Sequence, residues 1–227
     1  MLDSREENIV AAIPLVATLC MIAGAVDVIA YILFGKIFIA NMTGNTVLFA
    51  ASVVLRNWTE AAVRLGIIVT FLSGIFMAEA VLRRVTARRE RERQMMTLAM
   101  EFAVLCWLAL MPHTDTLRTL LLLVLAFAMG MQNNAFRRIG SIKLSTAFIS
   151  GDLENLGEAL AESGAPEKRA EGRRRSAVFF TTWIAYGTGA LIGAFAALNL
   201  REKALWIPAG LVVLAAVMVM RSQARSS

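Results

Sequence analysis

Polar residues form two similar groups, one in each half of an otherwise apolar sequence. The first group comprises Gly24, Asp27, Tyr31, Gly35 and the run Asn41, Met42, Thr43, Gly44 and Asn45; the second comprises Gly130, Gln132, Asn133, Arg137, Gly140 and the run Ser150, Gly151 and Asp152. A nearly constant offset relates Gly24 to Gly130 and Gly44 to Gly151. Polar residues inside apolar segments of membrane length are costly and usually functional. The two groups therefore predict one site built from both halves.

Asp27 has the most versatile chemistry of the first group. Its carboxylate could carry a proton, bind a cation or contact a solute, and Tyr31 follows one helical turn later on the same face. The alternative is a structural ion pair with Lys36 or Arg137. The second half offers neutral amides over residues 132–134, which favours an asymmetric site over a relay of protons.

The tripeptide Thr43-Gly44-Asn45 predicts a break in a helix. Gly permits backbone conformations that interrupt a helix, and Thr and Asn are good helix caps. The stretch from Thr46 to Leu55 would then be a half-helix whose first N–H donors point to the middle of the bilayer. Such donors suit an anion or a carbonyl oxygen. The alternative is a continuous helix in which Gly44 allows a close helix crossing.

The tripeptide Ser150-Gly151-Asp152 repeats this pattern with a carboxylate at the capping position. Residues 153–163 include three glutamates and are too polar for a span through lipid. They predict a second half-helix that runs out to the cytoplasm. The alternative is an amphipathic surface helix capped by Asp152.

The broken segments of inverted repeats meet near the midplane of the bilayer. We therefore expect helix interruptions at Gly44 and Gly151, and convergence of Asp27, Asn45 and Asp152 on one central cavity. Two carboxylates would line that cavity, and the backbone amides of the first break would supply hydrogen-bond donors.

The remaining acidic and nucleophilic side chains form no catalytic pattern. Glu79 precedes Arg83 by one turn and predicts a local ion pair at the membrane edge, while Glu101 is expected near an interface, so neither is placed in the site. The lone His113 falls in a loop, and the sequence has no Cys/His cluster, phosphate loop or HExxH motif. The sequence therefore predicts no enzyme, no metal site and no cofactor.

The composition is that of an integral membrane protein. The 227 residues are 58% hydrophobic and 18% charged, with a mean hydropathy of +0.64, whereas soluble domains are about 25% charged. Runs near twenty apolar residues are transmembrane candidates. Eight apolar segments can be marked, at roughly 9–34, 37–55, 63–82, 96–112, 117–136, 142–161, 177–198 and 204–220.

Two loops rich in arginine indicate how many segments cross. Basic residues crowd positions 83–93 and 162–175, and such clusters mark cytoplasmic loops. If all eight segments crossed, these loops would lie on opposite sides. If the second and sixth segments enter and leave on one side, six helices span and both loops share the cytoplasm with both termini. A seven-span arrangement, with the second segment crossing and the amino terminus outside, also satisfies the charges.

The six-span arrangement divides a single membrane domain, residues 1–227, into two halves. Each half, residues 9–112 and residues 117–220, holds three spans and one broken segment, and an odd number of spans inverts the second half. Small residues recur every fourth position in the third and seventh segments, where they favour close helix packing. The predicted fold class is an all-α polytopic transmembrane helical bundle, with about six spans, two broken or re-entrant segments and two inverted repeats.

The two motif stretches resemble the YoaK family of bacterial inner-membrane proteins, which has no assigned function. The resemblance rests on the Gly24–Asp27 tract, the Asn41–Asn45 run, the Gly130–Asn133 tract and the basic pair Arg137-Arg138. The family usually has Thr-Gly in the later motif, where this chain has Ser150-Gly151-Asp152. The resemblance implies about six spans and no particular substrate.

These patterns predict a multi-pass protein of the bacterial inner (plasma) membrane with both termini in the cytoplasm. The predicted role is a channel or secondary transporter for a small polar solute or ion, in contact with the lipid bilayer. Orientation explains the arginine runs, so no nucleic-acid partner is predicted. A non-transport scaffold or sensor is the first alternative, and an intramembrane enzyme is the second.

Overall fold

The computed structural model describes residues 4–82, 87–110, 114–136, 138–139, 142–143 and 149–223. The helices in these ranges are α1 (Ser4–Leu33), α2 (Met42–Val54), α3 (Trp58–Leu82), α4 (Ala87–Leu110), α5 (Asp115–Ala135), α6 (Ile149–Gly164), α7 (Arg169–Leu200) and α8 (Trp206–Gln223). A 3-10 helix, Arg201–Leu205, joins α7 to α8, and a two-residue antiparallel pair, β1 (Arg138–Ile139) with β2 (Ile142–Lys143), lies between α5 and α6. The predicted helical bundle is confirmed.

Five stretches of the described chain are long and apolar enough to cross a membrane. Four lie in α1, α3, α4 and α5, and the fifth, Arg169–Arg221, contains both α7 and α8. A continuous helix over its 53 residues would be about 80 Å long, far beyond a hydrocarbon core of about 30 Å. The 3-10 helix and the left-handed backbone of Arg201 (φ 53°) divide it into two helices. The described chain therefore holds six candidate spans, as the charge pattern predicts.

The short helix α2 enters and leaves the bundle on one side. The end of α1 at Leu33 and Phe34 and the start of α3 at Thr59 and Val63 line the same cavity. The chain between them runs back along α1 to Asp27 and then returns through α2. The second segment is therefore re-entrant.

The directions of α1 and α7 exclude the seven-span alternative. A Cβ added at Gly189 would contact Met21, and one added at Gly193 would contact Ala25. Because the contacts advance in the same sense along both helices, α1 and α7 run parallel. The six-span arrangement requires this direction, whereas the seven-span arrangement requires α7 to oppose α1.

Two helix pairs cross at glycines with almost no space between their backbones. A Cβ added at Gly24 in α1 would lie 2.1 Å from the carbonyl oxygen of Tyr186 in α7, and one added at Gly189 in α7 would lie 2.1 Å from that of Met21 in α1. Only glycine fits at either position, because any larger residue would separate the two helices.

The pair of α3 and α5 crosses in the same way. A Cβ added at Gly74 in α3 would lie 2.1 Å from the carbonyl oxygen of Phe127 in α5, and one added at Gly130 in α5 would lie 2.1 Å from that of Phe71 in α3. The close packing predicted for the small residues of the third and seventh segments is confirmed.

The helix interruptions predicted at Gly44 and Gly151 are wrong in position. The helices α2 and α6 each begin two residues before the glycine, so both glycines lie in the first helical turn. In the first half the break is instead the loop that precedes α2. Gly44 serves a close contact, because a Cβ there would lie 2.8 Å from the ring of Phe38. Residues 144–148, before α6, lie outside the described residues.

The helix α6 packs mainly against α7, with one face buried. Its Leu156 and Ala159 share an apolar cluster with Val16 and Cys20 of α1 and Phe179 of α7. Helix α6 begins beside the interior of α1 and ends where α7 begins, which places a second short helix on the opposite end of the bundle from α2.

Candidate functional site

The carboxylate of Asp27 holds the loop that precedes α2. Asp27 lies in α1, six residues before the end of the helix at Leu33, and is 2% exposed. Its Oδ1 accepts hydrogen bonds from the backbone N–H groups of Ile39 and Ala40, both at 2.6 Å, and from that of Asn41 at 3.4 Å. A carboxylate that accepts several backbone N–H groups makes strong, charge-assisted hydrogen bonds. Asp27 therefore fixes where the re-entrant chain turns back.

The second carboxylate oxygen of Asp27 connects this loop to α7. Oδ2 accepts a hydrogen bond of 2.7 Å from the hydroxyl of Tyr186. The predicted alternative is an ion pair with Lys36 or Arg137. No ion pair joins Lys36 to Asp27 in the described chain. Arg137 lies outside the described residues, so a pair with it stays untested. Sequence analysis missed Tyr186. The pattern that could have identified it is a hydroxyl-bearing residue next to the small residues Ala185 and Gly189, which mark a close helix crossing.

Asn45 and Asn41 fold the same loop onto the start of α2. The fully buried Asn45 accepts from the backbone N–H of Phe38 at 2.9 Å through Oδ1 and donates to its carbonyl at 2.6 Å through Nδ2. Asn41 is the N-cap, and its Oδ1 accepts from the N–H of Gly44 at 3.0 Å. The predicted cap at Thr43 or Asn45 is therefore wrong, because the cap that satisfies the first turn is Asn41.

Tyr31 and Thr43 lie at the edge of this group. The ring of Tyr31 stacks on that of Phe38 at 5.1 Å between centroids and is partly exposed. Thr43 is exposed. Of the first group, Asp27, Asn41 and Asn45 thus form the interior, joined by the loop they bind.

In the second half, buried amides of α5 bind two glutamates that the sequence analysis did not place in the site. Gln132 in α5 is fully buried and faces Glu101 in α4; with its amide oriented to donate, its nitrogen lies 2.7 Å from Oε2 and 3.0 Å from Oε1 of Glu101. Asn134 donates to Oε2 of Glu79 in α3 at 3.2 Å. The group therefore joins α3, α4 and α5.

The predicted place of Glu101 needs revision, whereas the pair predicted for Glu79 stays untested. Glu101 is fully buried, so its predicted position near an interface is wrong. Glu79 bonds to Asn134 across the α3–α5 pair, whereas Arg83, its predicted partner, lies outside the described residues. Glu101 and Gln132 belong to different helices, so their contact is recognised only when α4 and α5 are packed together.

The second-half motif is described only in part. Asn133 is partly buried and makes a contact within the protein. Gly151 and the buried Asp152 lie in the first turn of α6. Ser150 also lies in that turn, although its side chain, like the residues before it, is outside the description.

The structure brings together part of the predicted central site. Asp27 and Asn45 bind neighbouring residues of one loop. Asp152 lies instead within electrostatic range of Cys20 on α1, and Cys20 precedes Asp27 by about 10 Å along the helix axis. A cavity of about 260 Å³ lies at the ends of α1, α3 and α5, and none of these three residues lines it. Convergence of the three residues on one central cavity stays a prediction.

No group of three or more His, Cys, Asp or Glu side chains that could hold a metal ion occurs within the described ranges. The chemistry of the site is that of buried carboxylates, amides and one tyrosine hydroxyl. Such groups can bind a polar solute or stabilise helix packing.

Comparison with known proteins places these motifs in a family. The profile of a family described as "Protein of unknown function (DUF1275)" matches residues 15–218. The chain is 26% identical over 201 residues to the "UPF0700 transmembrane protein YoaK" of Bacillus subtilis (strain 168), covering 87% of this chain and 89% of that protein. No solved structure matches the chain at a significant level. The resemblance carried by the motif residues is confirmed.

Proposed function

Because this chain belongs to the DUF1275 family of transmembrane proteins, to which no function is assigned, we propose a function from the geometry: it is a channel or secondary transporter for a small polar solute. The protein is not an enzyme in this proposal. It resides in the bacterial inner membrane with both termini in the cytoplasm.

The observation that carries the proposal is the re-entrant segment clamped at Asp27. The loop ending at Asn41 turns back beside Asp27, about 9 Å before the end of α1. The first turn of α2 then contains the fully buried Asn45. In transporters, half-helices that start inside the membrane direct N–H donors and partial positive charge at the solute path. Irregular backbone is rare at membrane depth, because its N–H and C=O groups need hydrogen-bond partners that lipid does not provide.

The pairing of the glycine crossings supports two related halves. One offset relates Gly24 and Met21 of α1 to Gly130 and Phe127 of α5. A second offset relates Phe71 and Gly74 of α3 to Tyr186 and Gly189 of α7. The first helix of each half thus crosses the third helix of the other half through equivalent atoms. This reciprocal pairing favours a two-fold symmetry relation between the two halves, as in transporters built from repeats.

A non-transport scaffold or sensor is the second candidate. It is favoured because Asp27 and Asn45 form their hydrogen bonds with the protein's own loop and with Tyr186. In a scaffold, these bonds would hold the fold and would not open to a solute.

Uptake into vesicles distinguishes the two candidates. The purified protein, reconstituted into liposomes, is given a broad panel of labelled polar metabolites and ions. Transport predicts uptake of at least one solute above empty liposomes, with reduced uptake in Asp27→Asn at equal protein per vesicle. Glu202→Gln, at an ion pair on the 3-10 helix, is the control and should transport normally. Absence of uptake across the panel in wild-type vesicles would favour the scaffold.

A further inference from the structure

The cavity at the ends of α1, α3 and α5 has a charged interior that the site above does not use. Its volume is about 260 Å³. Its polar lining includes two arginines, two carboxylates and two threonines. Its apolar lining comes from α1, α3, α5 and the loop before α2, and includes Phe34, Val63 and Leu122. Asp27 and Asn45 do not line this cavity, although Gly35 and Ile37 of the loop before α2 do, and the cavity opens on one end of the bundle.

Arg64 is the buried charge of this cavity. It is 4% exposed, and its Nη1 donates to the hydroxyl of Ser52 and to Oε2 of Glu60. Its Nη2 lies 3.5 Å from the carbonyl oxygen of Gly35. The partner carboxylate of Glu60 is half exposed, so water screens the negative charge much more than the positive one.

Arg118 repeats this asymmetry on α5. Its guanidinium lies 5.7 Å above the centre of the Phe34 ring and 3.5 Å from Oδ1 of Asp115, whose side chain is 99% exposed. An exposed ion pair at this distance is weak and is screened by salt. Both guanidinium groups are thus more buried than the carboxylates that pair with them.

The backbone adds to the positive potential. Thr59 and Glu60 belong to the first turn of α3, and Asp115 and Arg118 to the first turn of α5. The amino-terminal ends of two long helices therefore border the cavity, and such ends favour anions. Apart from Thr59 and Thr119, most of the remaining side chains are apolar, so the cavity suits an anion that also has an apolar part.

We propose that this cavity binds a small monocarboxylate with a short apolar chain. The carboxylate lies at Arg118, with Arg64 behind it, and the chain lies against Phe34, Val63 and Leu122. A guanidinium binds a carboxylate through paired N–H groups. The proposal concerns binding and does not depend on whether the protein transports the ligand.

Calorimetric titration of the purified full-length protein with butyrate tests the proposal. Butyramide and n-butylamine are the matched neutral and cationic probes, and sodium chloride at equal ionic strength is the salt control. We expect saturable binding of butyrate, and binding of the other two probes weaker by about tenfold or more. Arg118→Gln should weaken butyrate binding by about tenfold or more, whereas Arg118→Lys should retain part of it. Arg201→Gln removes an exposed arginine of the 3-10 helix and should bind butyrate like the wild type.

Three results would overturn the proposal: no butyrate binding by the wild type, equal binding of butyramide, or unchanged butyrate binding by Arg118→Gln. Thermal unfolding of each variant verifies that it is folded. The selectivity of the wild type among the three probes decides the question even if Arg118→Gln does not fold. Butyrate binding without any uptake in vesicles would support this site and count against the proposed transport.

Discussion

Asp27 joins three parts of the chain through one side chain. Its two carboxylate oxygens bind the loop before α2 and the hydroxyl of Tyr186 on α7, while the residue itself belongs to α1. A buried carboxylate is tolerated when hydrogen bonds replace its hydration. At the scale of the residue, the most conspicuous acid in the sequence is thus a clamp for the re-entrant segment.

Replacement of Asp27 should destabilise the protein more when more of its hydrogen-bond acceptor oxygens are removed. In Asp27→Ala, the N–H groups of Ile39 and Ala40 lose their acceptor, which costs about 1–3 kcal/mol for each buried group. Asp27→Asn keeps one oxygen and should lose less, and Tyr186→Phe removes one donor and should cost about 1–2 kcal/mol. Reversible unfolding in detergent measures all three. A loss for Asp27→Ala no greater than that for Tyr186→Phe would contradict the role of the loop contacts.

Glu101 and Gln132 form a second buried pair whose role is testable with matched substitutions. Glu101→Gln keeps the size and an amide that can bond to Gln132, so we expect a change in the free energy of unfolding of about 1 kcal/mol or less. Glu101→Ala leaves Gln132 without its partner and creates a cavity, so we expect a loss of about 3 kcal/mol. Equal losses in the two variants would show that an amide at position 101 does not replace the hydrogen bonds of the Glu101 carboxylate.

The helices of this bundle are held at their closest points by glycines rather than by large side chains. At Gly24 and Gly189 the backbones of α1 and α7 come so near that a methyl group would overlap a carbonyl oxygen, and the same is true of Gly74 and Gly130 for α3 and α5. Without a hydrophobic driving force between helices in lipid, such close contact supplies much of the packing energy.

A pair of glycine-to-alanine variants separates packing from helix propensity. Alanine in a helix is favoured over glycine by about 1 kcal/mol, so Gly187→Ala, where nothing lies within 4 Å, should leave stability unchanged or raised. Gly24→Ala should lower it by about 2 kcal/mol or more, because α1 and α7 must move apart. The thermal midpoint of each purified variant is the measurement. A midpoint for Gly24→Ala at or above the wild type would show that the helices separate at no cost.

The topology of the whole molecule follows from directions that the structure fixes between helices. α1 and α7 run parallel, and α2 returns to the side where α1 ends. We predict that the arginine-rich loops lie on the cytoplasmic side. In that orientation the loop at Lys36 and the 3-10 helix would lie on the opposite side, and the cavity lined by Arg64 and Arg118 would open away from the cytoplasm.

Accessibility of single cysteines tests this topology. In a background where Cys20 and Cys106 are replaced by alanine, Thr86→Cys and Glu171→Cys should react with an impermeant maleimide only from the cytoplasmic side. Lys36→Cys and Lys203→Cys should react only from the other side. Labelling of Lys36→Cys from the cytoplasm would restore the seven-span arrangement, and labelling of Thr86→Cys and Glu171→Cys from opposite sides would exclude six spans.

The sequence by itself determined the class of the protein and the outline of its topology. Composition required a membrane protein because so many apolar residues cannot be buried in a soluble fold of this size. The positions of the arginines predicted six spans and a re-entrant second segment, and the motif residues identified the family. These features depend on local composition and on charge, which a sequence displays directly.

The tertiary structure decided which polar groups meet. The sequence placed the helix break at Gly44, but the cap is Asn41 and the glycine admits the ring of Phe38. It left out Tyr186 and Glu101, because the partners of these residues lie on helices distant in the chain. It also gave no sign of the cavity between Arg64 and Arg118. Hydrogen bonds and cavities between helices depend on crossing points set by glycine contacts, and only the packed bundle contains that information.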